Sequence, residues 1–226
     1  FRGLDFELER GECLAVVGPN GSGKSTFSRI AAGREPFDAG ERILGHHVCL
    51  AWFAQHQAEI LDPRKTVLES LASEAEDLNE TALRDLLGSF LFTGDDVFKH
   101  VGVLSGGEKS RLALCRTLVH RANCLILDEP TNHLDMRAKE VLRDAIAAFD
   151  GTVVLVSHDR AFLEPLATRV IEFRDGAMRS FPGTISDYLR KLELEEAAQE
   201  PGANHRPRTP EGTLNPRERR RIAAEK

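Results

Sequence analysis

Five short apolar runs punctuate the chain: CLAVV at 13–17, HVCLAWFA at 47–54, NCLILD at 123–128, GTVVLVS at 151–157 and TRVIEF at 168–173. Each is nearly continuous instead of alternating, which marks a strand with both faces buried. Strands of that kind belong to a mostly parallel sheet flanked by helices, an α/β fold. Between them, apolar positions recur at helical spacing over residues 24–32, 107–120 and 136–149, the last with Asp135 as its expected N-cap. Residues 65–90 hold two more helical patterns, TVLESLASEAEDL and TALRDLLGSFL, with no strand between them. They predict a small helical subdomain inserted in the α/β core.

Composition narrows the class. The chain has 226 residues, 41% of them hydrophobic, enough for one domain with a sizeable core. No run approaches the roughly 18 apolar residues of a membrane span, and FRGLDFELERGE carries charges where a signal peptide has its apolar region. The expected address is the cytoplasm. Cys13, Cys49, Cys115 and Cys124 lie in apolar runs and form no C-x-x-C pair, which favours buried reduced thiols over a disulfide or zinc site. The net charge of −6 conceals an asymmetry: residues 205–226 carry seven Arg or Lys against three Glu, leaving +4 there and −10 on the rest. An acidic body is a poor generic nucleic-acid binder, so the basic tail is either an RNA-contacting arm or simply solvated.

Candidate chemistry begins after the first strand. Gly18, Pro19, Asn20, Gly21, Ser22, Gly23, Lys24, Ser25 and Thr26 match G-x-x-x-x-G-K-[ST] between a predicted strand and a predicted helix, the context that gives the pattern meaning. Backbone N–H groups from Gly21 to Lys24 are placed to surround a β-phosphate, Lys24 to bridge β- and γ-phosphates, and Ser25 to ligate Mg²⁺. CLILDE delivers Asp128 and Glu129 to the C-terminal end of a strand, where open α/β sheets bind ligands. Asp128 suits the outer coordination of Mg²⁺, and Glu129 is the candidate general base for an attacking water. His158, at the same sheet edge, is placed to contact the γ-phosphate and hold that water, and Gln55, ending HVCLAWFAQ, to reach the metal or the water. His46, His47 and His56 have no such context. A second phosphate-type pattern, Ser105-Gly106-Gly107-Glu108 in LSGGEKSRLAL, opens another helix 81 residues beyond Lys24.

The order P-loop, Gln, SGG, Asp-Glu, His resembles an ATP-binding cassette (ABC) ATPase over residues 1 to about 189. Walker A falls at 18–26, the Q-loop at Gln55, the signature LSGGE at 104–108, Walker B at 125–128, the catalytic Glu at Glu129, the D-loop at 132–135 and the switch at His158. The resemblance implies a P-loop NTPase fold of ABC ATPase type within residues 1–190, with a β subdomain and a helical subdomain at about 64–115, followed by an acidic-then-basic tail at 191–226. It implies ATP and Mg²⁺, with ATP favoured over GTP by family alone because phosphate loops do not read the base. It also implies paired cassettes set head to tail, each ATP lying between the Walker A of one and the signature of the other. Ser105, Gly106, Gly107 and Glu108 then serve a nucleotide held by a second ABC domain, and one cassette alone is an incomplete ATPase.

DEPTNHLD at 128–135, with LSGGEKSRLAL and VSHDR at 156–160, resembles the ABC-F group, which has tandem cassettes, lacks membrane domains and acts on ribosomes. Residues 87–109 and FPGTISDYLRK at 181–191 are similar to the second cassette of such proteins, and TLNPRERRRIAAEK to the start of their C-terminal extension. The resemblance implies half of a ribosome-associated translation factor whose partners are a second ABC domain and the ribosome with its rRNA and tRNA, with no membrane. The alternatives are the ATPase subunit of an ABC transporter, docked to a membrane partner through residues 65–90, and a nucleotide-binding module without turnover. Two departures stand out. The family's adenine-stacking aromatic residue belongs to a strand upstream of Phe1, and Phe27 stands where Leu is frequent.

Overall fold

Strands β3 (Cys124–Asp128) and β4 (Thr152–Val156) are buried at every residue, the state their unbroken apolar runs require. They lie in the middle of one six-stranded sheet with β1 (Cys13–Val17), β2 (Leu50–Phe53), β5 (Arg169–Arg174) and β6 (Ala177–Pro182), in the order β2-β3-β4-β1-β5-β6. Every pairing is parallel except the β5–β6 hairpin, which is the antiparallel part of the sheet. The computed structural model describes residues 3–54, 57–75 and 77–199. The chain divides into two compact units, Phe1–Lys191 and Leu192–Lys226.

Helices α1 (Lys24–Ala31), α4 (Gly106–Val119) and α5 (Met136–Ala147) form where the apolar period predicts them. Asp135 caps α5 by accepting the Ala138 N–H at 2.8 Å. Residues 65–90 fold as α2 (Val67–Ala72) and α3 (Glu80–Ser89), which pack against each other and against α4. Their start signals are local: Thr66 and Glu69 make a reciprocal capping box, and Asn79 accepts the Ala82 N–H at 2.9 Å. The short α6 (Arg160–Leu163) follows β4, and α7 (Ile185–Gln199) follows the hairpin.

Two elements differ from expectation. The apolar run at 47–54 yields only four residues of strand, because His47 turns the chain at φ +62° and Asn123 holds the segment from its side, donating to His47 O and accepting from the Cys49 N–H. Strand β6 has no continuous run behind it; Phe181 is buried while its neighbours Ser180 and Pro182 are exposed, as an edge strand allows. The cysteines also divide: Cys115 and Cys124 are buried, Cys13 is half-buried with its thiol pushed up to about 12 by burial, and Cys49 is exposed. All four are free thiols.

The core beneath the glycine-rich loop after β1 unites Leu14, Val16, Ile126, Val154, Val156, Ile171 and Phe173 from four parallel strands with Phe27 of α1. Phe27 lies between Phe6 and Phe173, with ring centroids 5.3 Å from each. Its larger ring fills the space between α1 and the sheet, and burying it contributes roughly 1.5–3 kcal/mol.

Candidate functional site

Parallel register brings three strand ends to one edge. Asp128 pairs with Val156, Val16 with Val156, and Val17 with Glu172, so the loops after β1, β3 and β4 leave the sheet together. Residues far apart in sequence meet there for topological reasons.

The loop after β1 turns sharply. Gly18, Gly21 and Gly23 have φ of +146°, +78° and +100°, conformations that side chains disfavour. A Cβ at Gly18 would lie 2.3 Å from Phe173 O, so the loop packs against β5 at a distance only glycine permits. Gly23 N-caps α1, leaving the N–H groups of Lys24, Ser25 and Thr26 without intrahelical acceptors. Lys24 is 6% exposed, and its Nζ donates to Gly18 O at 3.0 Å and Pro19 O at 2.8 Å. The ammonium is thereby stretched back over the loop it belongs to, with a third proton left for an anion. Burial lowers its pKa, opposed by the charges of Glu129 and Asp128.

Asp128 is 6% exposed and both its oxygens are held: Oδ1 accepts from Ser25 Oγ at 3.1 Å and Oδ2 from Ser28 Oγ at 3.0 Å. Ser28, fully buried, was not among the residues singled out from the sequence; it belongs to no motif, and only folding brings it to Asp128. Glu129 leaves the strand at φ +50° while its N–H donates to Val156 O at 2.8 Å, a left-handed step that turns its side chain away from that of Asp128. His158 Nε2 stands 3.1 Å from Glu129 Oε1, with side-chain exposures of 52% and 11%. This is a charge-pair separation and not an aligned hydrogen bond, since Oε1 has no donor among the described residues. Burial raises the Glu129 pKa, partly offset by His158. The loop of His158 is fixed on both sides, by Thr131 Oγ1 against Ser157 Oγ at 3.2 Å and by Lys139 Nζ donating to Asp159 Oδ2 at 2.6 Å.

A cleft of about 460 Å³ lies between them, with Asn20, Gly21 and residues 23–26 facing Glu129, Asn132 and His158. A larger cleft of about 540 Å³ is lined by Trp52, Glu74 and Arg116 but by no residue of the glycine loop. Convergent charge and free helix N–H groups make the smaller one the candidate site. Ser105, Gly106 and Gly107 do not line it; they open α4, where a Cβ on Gly107 would meet His133 O at 3.0 Å. Gln55 lies outside the described residues.

The donors present suit a magnesium–triphosphate. Ser25 Oγ and the Asp128 carboxylate are hard oxygens, few enough to leave the remaining positions of an octahedral ion to water and phosphate. The Ser22 hydroxyl is buried without a partner beside the glycine cradle, a further polar group left for a ligand.

A family model described as "ABC transporter" matches residues 1–132. "ABC transporter F family member 5" of Arabidopsis thaliana is 45% identical over 206 residues, covering 88% of this chain and 30% of that protein. "Energy-dependent translational throttle protein EttA" of Haemophilus influenzae is 38% identical over 205 residues, covering 88% of this chain and 37% of that protein. Among solved structures, "RNase-L Inhibitor" superposes with a TM-score of 0.65 at 26% identity, over 83% of this chain and 38% of that one. The chain belongs to the ABC family of P-loop ATPase domains, within its F group. It spans about a third of the length of these curated relatives. Among the described residues no helix is long and apolar enough to cross a membrane.

Proposed function

We infer that this chain is an ATP-hydrolysing cassette of a ribosome-associated ABC-F translation factor, working by nucleotide-driven closure of paired cassettes. Residues 1–190 are read as the cassette, the second of its protein, and 191–226 as the start of a C-terminal extension. The observation that carries the reading is a division of labour: Lys24, Ser25, Glu129 and His158 border one cleft, with Asp128 bonded to Ser25 behind it, whereas the Ser105 loop stands outside. A triphosphate held by Lys24 and the α1 N-terminus therefore presents its γ-phosphate to another cassette's signature loop.

Each residue has a task set by its surroundings. Lys24 leaves the carbonyls of Gly18 and Pro19 to neutralise β- and γ-phosphate oxygens. Ser25 and Asp128 would hold Mg²⁺, which would supply charge neutralisation on the phosphates. Glu129 takes a proton from the attacking water as the oxygen–phosphorus bond forms and the β–γ bridging bond breaks, releasing ADP and phosphate. His158 aligns that water and fixes Glu129. Gln55 is assigned to the metal or the same water from its motif. Support for a ribosomal role comes from the relative named a translational throttle protein and from the basic sequence at 205–226.

The test is ATP-dependent cosedimentation of the Glu129→Gln protein with ribosomes, with Lys24→Ala as control. Retention in ATP that disappears in the control is the expected result. A folded, ATP-binding Glu129→Gln protein that stays off ribosomes and partitions with membranes would replace this reading with the transporter subunit.

A further inference from the structure

At the N-terminus of α4, both donors of Ser105 and the N–H of Glu108 are engaged by the chain itself. The Ser105 N–H donates to Glu108 Oε2 at 2.7 Å and the Ser105 hydroxyl to the same oxygen at 2.6 Å, while the Glu108 N–H donates back to Ser105 Oγ at 3.3 Å. Bonds from two donors to one carboxylate oxygen are charge-assisted, and they hold the Glu108 pKa below the ordinary carboxylate value. The carboxylate also stands at the positive end of a 14-residue helix. An anion arriving at this loop meets two spent donors and a fixed negative charge. The approach itself is open, since a Cβ built on Gly106 would meet nothing within 4 Å.

A destination for the carboxylate is close by. Arg111, one helical turn on, acts electrostatically on Glu108, and its buried Nε has no acceptor among the described residues. Its nearest recorded carboxylate, Asp135, is 4.0 Å from Nη1.

The geometry points to Glu108 as a releasable cap: its carboxylate holds the Ser105 donors while cassettes are apart and must yield them, turning toward Arg111, when a γ-phosphate arrives from a facing cassette. This rests on the reading that the Ser105 loop takes such a phosphate. The helix does not need the charge for its cap. A glutamine accepts the same Ser105 N–H through its amide oxygen, and its NH₂ attracts phosphate where a carboxylate repels it. The charge at 108 therefore sets how much nucleotide is needed for closure.

The experiment titrates this chain with ATP in a Glu129→Gln background, where slow turnover preserves the closed pair, and follows association by sedimentation velocity at two salt concentrations. Glu108→Gln should lower the ATP needed for half-association by roughly threefold to tenfold, as expected for relief of one charged contact. Glu108→Asp should stay near wild type, Ser105→Ala should require more ATP, and the gap between Glu and Gln should narrow as salt rises. If Ser105→Ala weakens association but Glu108→Gln leaves it unchanged or weaker, the cap is wrong and the facing-cassette reading stands. A gain shared by Glu108→Asp traces to disturbance of the helix end and overturns the cap as well. Association that fails to occur, or that needs Lys24 yet ignores Ser105→Ala, overturns the facing-cassette reading and the cap with it.

Discussion

Glu129, the proposed general base, is held in a setting that works against the fold. Burial raises its pKa above the ordinary value of 4.5, so the native state binds that proton more tightly than the unfolded chain does. Its ionisation therefore subtracts stability as the pH rises through the raised pKa, and the subtraction vanishes below about 4.5. Glu129→Gln should melt higher than wild type at pH 7, with the difference closing on acidification to pH 4.5, while ATP turnover falls by roughly 10²- to 10⁴-fold. Calorimetry and phosphate release measure the two effects; equal melting at pH 7 would show that the carboxylate is already relieved. Ser28 makes the complementary case. Its one proton is shared between Ser25 O and Asp128 Oδ2, both at 3.0 Å. Ser28→Ala leaves a buried carboxylate oxygen unpaired and should cost about 1–3 kcal/mol in urea denaturation. Lys24, Asp128 and Glu129 were legible as candidates because phosphate chemistry demands them within short spacings. Ser28 was not, because its partner lies 100 positions away.

At the level of elements, the glycine loop is a junction as much as a cradle. Gly18→Ala would put a methyl 2.3 Å from Phe173 O at φ +146°, a clash with backbone that no rotamer relieves. The substitution should destabilise by at least 1–3 kcal/mol, the usual cost of overpacking, and weaken ATP binding by displacing the loop from β5. Denaturant titration and equilibrium dialysis check both, and a stable variant with unchanged affinity would show that β5 can move away. Helices and central strands were readable because their apolar periods differ and their caps are local. The shortened β2 and the edge strand β6 were not, since the first is cut by a contact from Asn123 and the second is held by pairing with β5.

For the molecule as a whole, net positive charge is concentrated in one short segment of the sequence. Residues 205–226 carry +4 against −10 elsewhere. Deleting them should lower ribosome affinity and flatten its dependence on salt, because fewer phosphate counterions are then released; an unchanged salt slope would assign ribosome contact to other surfaces. The sequence by itself determined the α/β class and the family and named the candidates for phosphate and metal contact, since each depends on local spacing and on the period of apolar positions. Only the tertiary structure decided which of those residues share a cleft. Parallel strand order joins the ends of β1, β3 and β4, and Ser105 is left at the start of a separate helix, engaged by Glu108. The physical reason is that spacing along a chain encodes turns, caps and helix faces, whereas the meeting of residues a hundred positions apart depends on how strands pair and helices pack.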